Sequence, residues 1–458
     1  KPRSLSRRSP RPGAKRGAGL RFAFANSMPS SESRVCHNCK TSFQIDASDF
    51  DFYRKIQVPP PTWCPECRLT RRLAFRNERT LYRRKCDLCK KNTFSRYPTE
   101  VSFPVYCAPC WYSDNWDPLS LGQDYDFSKP FFVQLDSLNK KVPHLALFIV
   151  NSVNAEYANQ VLNSKNVYLS VSIVESEDIY YSYRVDYSRD VFDVGYSQRL
   201  ERCGNVVDVV NSHNIVSARY VKDSYDSRFL YDVRNAHDCF CCTNIRGGRY
   251  RIFNEQYSVD QYHKEYEKYD TGSFRTSEEI GKRFESFIRN FPKRYAALDK
   301  CVAVTGDNVQ NAKNCRECFD CFDIEDSRYI FAGVGGVRNC YDVNHLKNAE
   351  LCYEAWACIG SSNKFSIGPY GHDIEYSELV TSYGSGPLFG CISIPSQKSY
   401  CILNKQYTKK EYETLVPKII AHMNEMYYTD KQGREYRYGE FFPPELSPFA
   451  YNETVAQE

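Results

Sequence analysis

The chain has 458 residues, 42% hydrophobic and 26% charged, so it can bury several cores. Its net charge of +5 is too small to imply a polyanionic partner without local clustering. No stretch nears the roughly 18 apolar residues of a membrane span, and no secretory pattern stands at the N-terminus, which together point to a cytoplasmic protein with no membrane partner. The unusual components are 36 Tyr and 21 Cys.

Residues 1–27 hold eight Lys or Arg and no acid among Pro, Gly and Ser, a composition that buries no core. Residues 1–33 read as a disordered basic arm: a functional tail, an Arg/Ser-rich transit peptide and a remnant upstream of Met28 all have this character.

Four Cys-x-x-Cys pairs follow. Cys36/Cys39 and Cys64/Cys67 are separated by 24 residues, Cys86/Cys89 and Cys107/Cys110 by 17. In a reducing compartment this spacing points to metal ligation rather than disulfides. Eight thiolates fill two closed tetrahedral Zn²⁺ sites, so the module over 34–117 is a scaffold rather than a catalyst. Sequential pairing and an interleaved cross-brace use the same eight ligands. Because such modules fold with their metal, a chelator is expected to unfold 34–117 and leave the rest standing.

Cys36-His-Asn-Cys39, Phe43, Asp51-Phe52-Tyr53, Pro59 to Pro61 and Cys64-Pro-Glu-Cys67-Arg68 resemble the "probable zinc-ribbon" domain family over about residues 34–72. The continuation through Arg76-Asn-Glu-Arg79, Tyr82 and Trp116-Asp117 is similar to bacterial proteins that join such ribbons to a long repeat region. The resemblance implies zinc binding and nothing further. Between the Cys pairs, Arg68, Arg72, Arg76, Arg79 and Arg83 follow steps of 4, 4, 3 and 4. One continuous helix would set five guanidinium groups in a stripe able to grip the phosphates of RNA or DNA. The bland alternatives are a solvated face, or ion pairs with acids on the repeat region.

After a linker over 118–150, steps of twelve from Asn151 give eight units without a gap. Position 2 is Ser in six, position 4 is Asn or Asp in seven, and positions 5 and 11 are mostly apolar. Turn residues at one phase and β-branched residues at another predict a right-handed parallel β-solenoid, with Val167, Ile179, Val191 and Ile215 inward and the position-4 residues laddered along an edge. A coil of 24 residues is favoured over 12, because three apolar side chains per unit would crowd the smaller coil.

The first array is placed at 151–256 and a second, less regular one at 301–406, with Asn314, Asp326, Asn339 and Asn363 at its corners. Tyr250 to Tyr257 and Tyr400 to Tyr407 are alike and lie 150 residues apart, which suggests duplication. Ser258-x-x-Gln261 and Thr408-x-x-Glu411 start capping helices, within a helical linker over 257–300 and a C-terminal helix and tail over 407–458. The fold class is thus mainly β: four-cysteine zinc ribbons, then a duplicated solenoid with short capping helices.

Cys315-x-x-Cys318-x-x-Cys321 has a cluster-like spacing but falls at inward phases, as do Cys239 and Cys242, and reads as core. Asp186, Asp190, Asp193, Asp208 and Asp232 could furnish the carboxylate pair of a carbohydrate-active β-helix enzyme, a lyase or glycoside hydrolase, but no His or Lys recurs beside them. The preferred reading is a non-enzymatic scaffold that binds RNA or DNA through the Arg stripe, or another protein through Tyr/Arg surfaces such as Tyr180 to Arg184 and Arg246 to Arg251.

Overall fold

In the computed structural model, residues 31–457 are described except 332, 347–349, 355 and 359. The basic arm up to residue 30 lies outside them. The chain is mainly β, with a β-solenoid of about 20 turns from residue 149 to 402 and seven α-helices among the described residues.

One coil takes twelve residues, not the favoured 24: Ile179 pairs in parallel with both Val167 and Val191. The reason is a finer period of three. From Gln160 to Asn244 every third residue has a positive φ, and the residue after each corner points inward. Each coil is therefore a square with sides of three residues, a left-handed corner, an inward residue and an outward one. The left-handed region excludes β-branched side chains and admits Asn and Asp most readily. Accordingly none of the positive-φ residues among the described ones is Val, Ile or Thr. Crowding does not arise because the inward residues are small or slender, such as Val167, Ser170, Ile173 and Ser176.

Position-2 serines are thus inward rather than turn residues. Ser176 Oγ donates to Val174 O at 2.8 Å and accepts from Ser188 N at 3.0 Å, and Ser164 and Ser188 repeat the pattern. Each hydroxyl joins neighbouring coils and leaves no buried donor idle. Position-4 residues form the expected ladder: Asn154 Nδ2 donates to Asn166 Oδ1 at 2.9 Å, and Asn166 Nδ2 to Asp178 Oδ1 at 2.7 Å.

The second array is less regular, pairing at steps of 12 and 13 around Phe322–Val337 and of 11 at Tyr353–Lys364. Asn314, Asp326 and Asn339 are left-handed corners. Asn363 is not. It is fully buried, donates to Gly360 O and Gly371 O, and accepts from Ile374 N.

Both arrays end in the same device. Arg251–Ile252 pair antiparallel with Glu255–Gln256, and Cys401–Ile402 with Lys405–Gln406. The turns at Phe253-Asn254 and Leu403-Asn404 have positive φ throughout, which suits a tight hairpin. Asn254 exchanges hydrogen bonds with both backbone groups of Thr243, and Asn404 with both of Ile392. Each amide thereby satisfies the groups that a further coil would have paired.

Helix α5 (Val259–Tyr266) then starts from a Ser258/Gln261 capping box. Helix α6 (Phe274–Ile288) lays Ile280, Phe284 and Ile288 on Phe229, Phe240 and Ile252, closing the first array. Helix α7 (Lys409–Glu425) follows the second hairpin from a Thr408/Glu411 box. The stretch read as a linker over 118–150 carries helix α4 (Phe131–Asn139), whose Phe131, Phe132, Leu135 and Leu138 are buried in the main core.

Substituting Val185, which is 0% exposed, by Asp is expected to cost about 3–5 kcal/mol as an unpaired buried charge. His213→Asp, at an exposed outward position, should cost below about 0.5 kcal/mol in the same denaturation assay.

Candidate metal centres

Two sulfur clusters form. Cys36, Cys39, Cys64 and Cys67 make one and Cys86, Cys89, Cys107 and Cys110 the other, each set with its sulfurs within 4.8 Å of one another. The cysteines are therefore grouped sequentially, not as a cross-brace.

The two centres share one local design. Strands β1 (Ser31–Val35) and β2 (Ser42–Asp46) flank the first knuckle, and β3 (Tyr82–Lys85) and β4 (Asn92–Ser95) the second. Lys40 and Lys90 take left-handed conformations, and their N–H groups donate to Cys36 O and Cys86 O. The second half of each site starts a helix. Cys64 is the N-cap of α2 (Pro65–Leu73), which follows α1 (Ala47–Lys55), and Cys107 is the N-cap of α3 (Ala108–Trp111). Cys64 N and Cys107 N donate to Cys36 Sγ and Cys86 Sγ, both at 3.3 Å.

Hydrogen bonds from Thr41 hold the Cys39 thiol down to about 6, and a backbone bond from Lys91 holds Cys89 to about 7, whereas burial pushes Cys64 and Cys107 up. The separations Cys39 Sγ–Cys64 Sγ of 3.7 Å and Cys89 Sγ–Cys107 Sγ of 3.8 Å match the edge of about 3.8 Å of a sulfur tetrahedron with bonds of about 2.3 Å. Four sulfurs at that spacing suit a soft, tetrahedral divalent ion and fill its coordination.

The Arg stripe does not form. Helix α2 stops at Leu73, and Arg68, Arg72 and Arg76 are at most 2% exposed. Arg68 binds Asp342 Oδ2 at 2.8–2.9 Å, and Arg71 bridges Glu354 Oε1 at 2.6 Å and Glu440 Oε2 at 2.9 Å. Arg72 Nη1 lies 3.5 Å from Asp342 Oδ1, and Arg76 Nε donates to Glu78 Oε1 at 2.9 Å. Arg79 and Arg83 remain exposed, Arg79 over the Tyr183 ring. The pairing of Arg68, Arg71 and Arg72 with acids of the second array and the tail was legible only in part and as an alternative, because Asp342, Glu354 and Glu440 lie more than 250 residues away in sequence.

Cys315, Cys318 and Cys321 are inward and buried, each with its sulfur near a backbone carbonyl two residues back at 3.1–3.5 Å. They form no metal-binding group among the described residues. Of the five aspartates, Asp190, Asp193, Asp208 and Asp232 all occupy left-handed corners, and Asp232 is held by Arg246 and Arg294 at 2.7 Å each. Asp208 has a partner that sequence reasoning missed: Asn308 Nδ2, from the second array, donates to Asp208 Oδ1 at 2.6 Å and Asp320 Oδ1 at 2.9 Å. The two arrays thus lie side by side with two carboxylates at the seam. No helix among the described residues is long and apolar enough to cross a membrane.

No known protein-family profile, curated protein or solved structure matches the chain. The zinc-ribbon resemblance therefore rests on the residues that carry it; the structure shows two groups of four cysteines near the N-terminus that could bind metal.

Elemental analysis of purified protein should find two tetrahedral ions per chain, falling to one in Cys64→Ser and staying at two in Cys318→Ser. Chelation is not expected to spare the solenoid. Helix α2 carries both Cys67 and the arginines seated on Asp342 and Glu354, so chelation should lower the main melting transition of the whole chain.

At the seam, burial and then Asp320 push Asp208 up to about 7. A folded pKa above the unfolded value of about 3.9 means that this group's stabilising contribution is complete below about pH 4 and lost as pH rises through 7. Asp208→Asn should raise Tm at pH 8 by about 1–2 °C and flatten its pH dependence between these values.

Proposed function

We propose that the chain is a non-enzymatic, zinc-stapled scaffold whose first array binds another protein. Zinc is the ion that four cysteines in a closed tetrahedron ordinarily hold, and a filled site leaves no position for substrate.

The observation that carries the reading is an exposed aromatic column. Tyr168, Tyr180 and Phe192 stand on successive coils in direct register, 39, 39 and 48% exposed. Tyr157, Leu169 and Tyr181 flank them, also exposed. Phe192 lies across Gly204, where a Cβ would come 2.2 Å from the ring, so the absent side chain lets the column lie flat. Rigid aromatics on a repeat surface are typical of protein interfaces. On the adjacent side of the coils the charges are matched, Lys165 with Glu177 at 2.6 Å and Arg189 with Glu201 at 2.8 Å. Charge matching disfavours a polyanion, which needs unbalanced cations. Nucleic-acid binding through Arg68, Arg72 and Arg76 would first require breaking buried ion pairs.

A photo-crosslinking residue at Tyr180 should trap a discrete protein partner in cells, while the same residue at Phe274, 85% exposed on α6, should not. Equal trapping at both positions would reject the aromatic column. Retention of RNA or DNA at low salt, weakening with a log–log slope of about −0.7 to −0.9 per contact, would favour the nucleic-acid alternative instead.

A further inference from the structure

A partly enclosed cavity of about 80 Å³ lies where the ribbons, the first coils of the first array and the later coils of the second array meet. A single water needs roughly 10–15 Å³, so the space takes a molecule of several heavy atoms. Its walls are contributed by Arg76 and Arg96 from the ribbons, Phe148 and Asn159 from the entry to the first array, and Trp356 and Thr381 from the second. Junctions of separately folded parts are common ligand sites.

The polar atoms here are unusual in being almost all donors. Arg76 spends Nε and Nη2 on Glu78 Oε1, and its Nη1 is buried with no hydrogen-bond partner among the described residues. Asn159 Oδ1 accepts from Phe148 N at 3.1 Å and Gln160 N at 3.0 Å, which fixes the amide's orientation and leaves Nδ2 buried and unpartnered among the described residues. Trp356 Nε1, a donor only, is in the same condition, whereas the Thr381 hydroxyl faces the Tyr112 phenol. Buried donors without acceptors are costly, and several gathered on one cavity point to a missing acceptor.

Three guanidinium groups border or approach the cavity: Arg76 and Arg184 share Glu78, Arg184 also faces Asp320, and Arg96 has Glu378 nearby. The donors present, one guanidinium N–H, an amide NH₂ and an indole N–H, suit the lone pairs of two oxygens rather than the full shell of a phosphate dianion. Leu162 and Leu379 offer apolar wall for the remainder of the ligand.

We propose that this cavity binds a small organic carboxylate, its oxygens held by Arg76, Asn159 and Trp356 and its apolar part against the leucine walls. The site is independent of the aromatic column and of the metals. A ligand there would tie the ribbons to both arrays.

The test is calorimetric titration of the metal-loaded full chain with propionate and benzoate, with propionamide and benzamide as neutral counterparts, and with inorganic phosphate. At least one carboxylate should bind with a Kd of about 1 mM or tighter and its amide about tenfold more weakly. Asn159→Asp, which keeps both acceptor contacts and replaces the NH₂ by a charged oxygen, should weaken carboxylate binding at least about tenfold. If that variant does not fold, Trp356→Phe, which removes one N–H and keeps a ring, should give a loss of about three- to tenfold at unchanged metal content. The proposal is overturned by no carboxylate binding up to about 10 mM, roughly ten times that Kd. Equal binding of acid and amide, binding of phosphate alone, or affinities untouched by the substitutions would overturn it equally.

Discussion

The structure turns on a cluster of charges with no access to water. Arg68, Arg71 and Arg72 project from one short helix into Asp342, Glu354 and Glu440, all at most 7% exposed at their side chains. Charges taken from water cost several kcal/mol apiece, and only close, mutual pairing offsets that. Any one partner missing would strand the others, so the cluster specifies which surfaces meet. Helix α2 must sit against the second array, and the C-terminal tail must return to cover it, with Glu440 accepting also from Thr62.

That requirement gives the first metal centre its structural meaning. A helix of nine residues is too short to hold itself in place. Its N-cap is Cys64 and its first turn contains Cys67, so a metal held there would fix its start and direction while the buried arginines fix its flank. Aromatic packing completes the seat: Phe52 stacks on Tyr341 at 3.8 Å, and the Arg71 guanidinium lies 4.2 Å from the Trp63 ring centre. Ribbon, second array and tail share one buried core through these contacts. The first array joins them through the seam at Asn308 and through Glu78, which accepts from Tyr183 at 2.9 Å.

The solenoid is governed by a backbone constraint instead. A coil of four three-residue sides has a left-handed corner on every side, and each non-glycine corner carries conformational strain. The strain is tolerable because every coil also contributes inward apolar contacts, serine bridges and, on several corners, an Asn-to-Asp ladder. With the interior narrowed to slender residues, the outward positions are left unconstrained by packing, and there aromatic side chains can stand in register at the spacing of the coils.

Much of this is legible in one sequence. Two groups of four cysteines follow from Cys-x-x-Cys spacing, since each turn presents two sulfurs and four complete a tetrahedron. The twelve-residue repeat, the inward phase of Val167, Ile179 and Val185, and the helix starts at Ser258 and Thr408 follow from local rules. Local rules also misjudge particular residues. Ser164 and its equivalents read as turn residues because serine favours turns, whereas a hydroxyl bonded to two coils is equally at home inside. Asn363 reads as a corner for the same reason and is buried among backbone groups. Only tertiary structure decided the fate of Arg68 and Arg72, whereas Arg76 pairs with Glu78 two residues on. Their helical spacing describes a stripe, but whether a charged face meets water or acids depends on residues hundreds of positions away. Long-range pairing of that kind has no periodicity to read, so the sequence determined the parts and their repeats, and packing alone determined which faces were left for function.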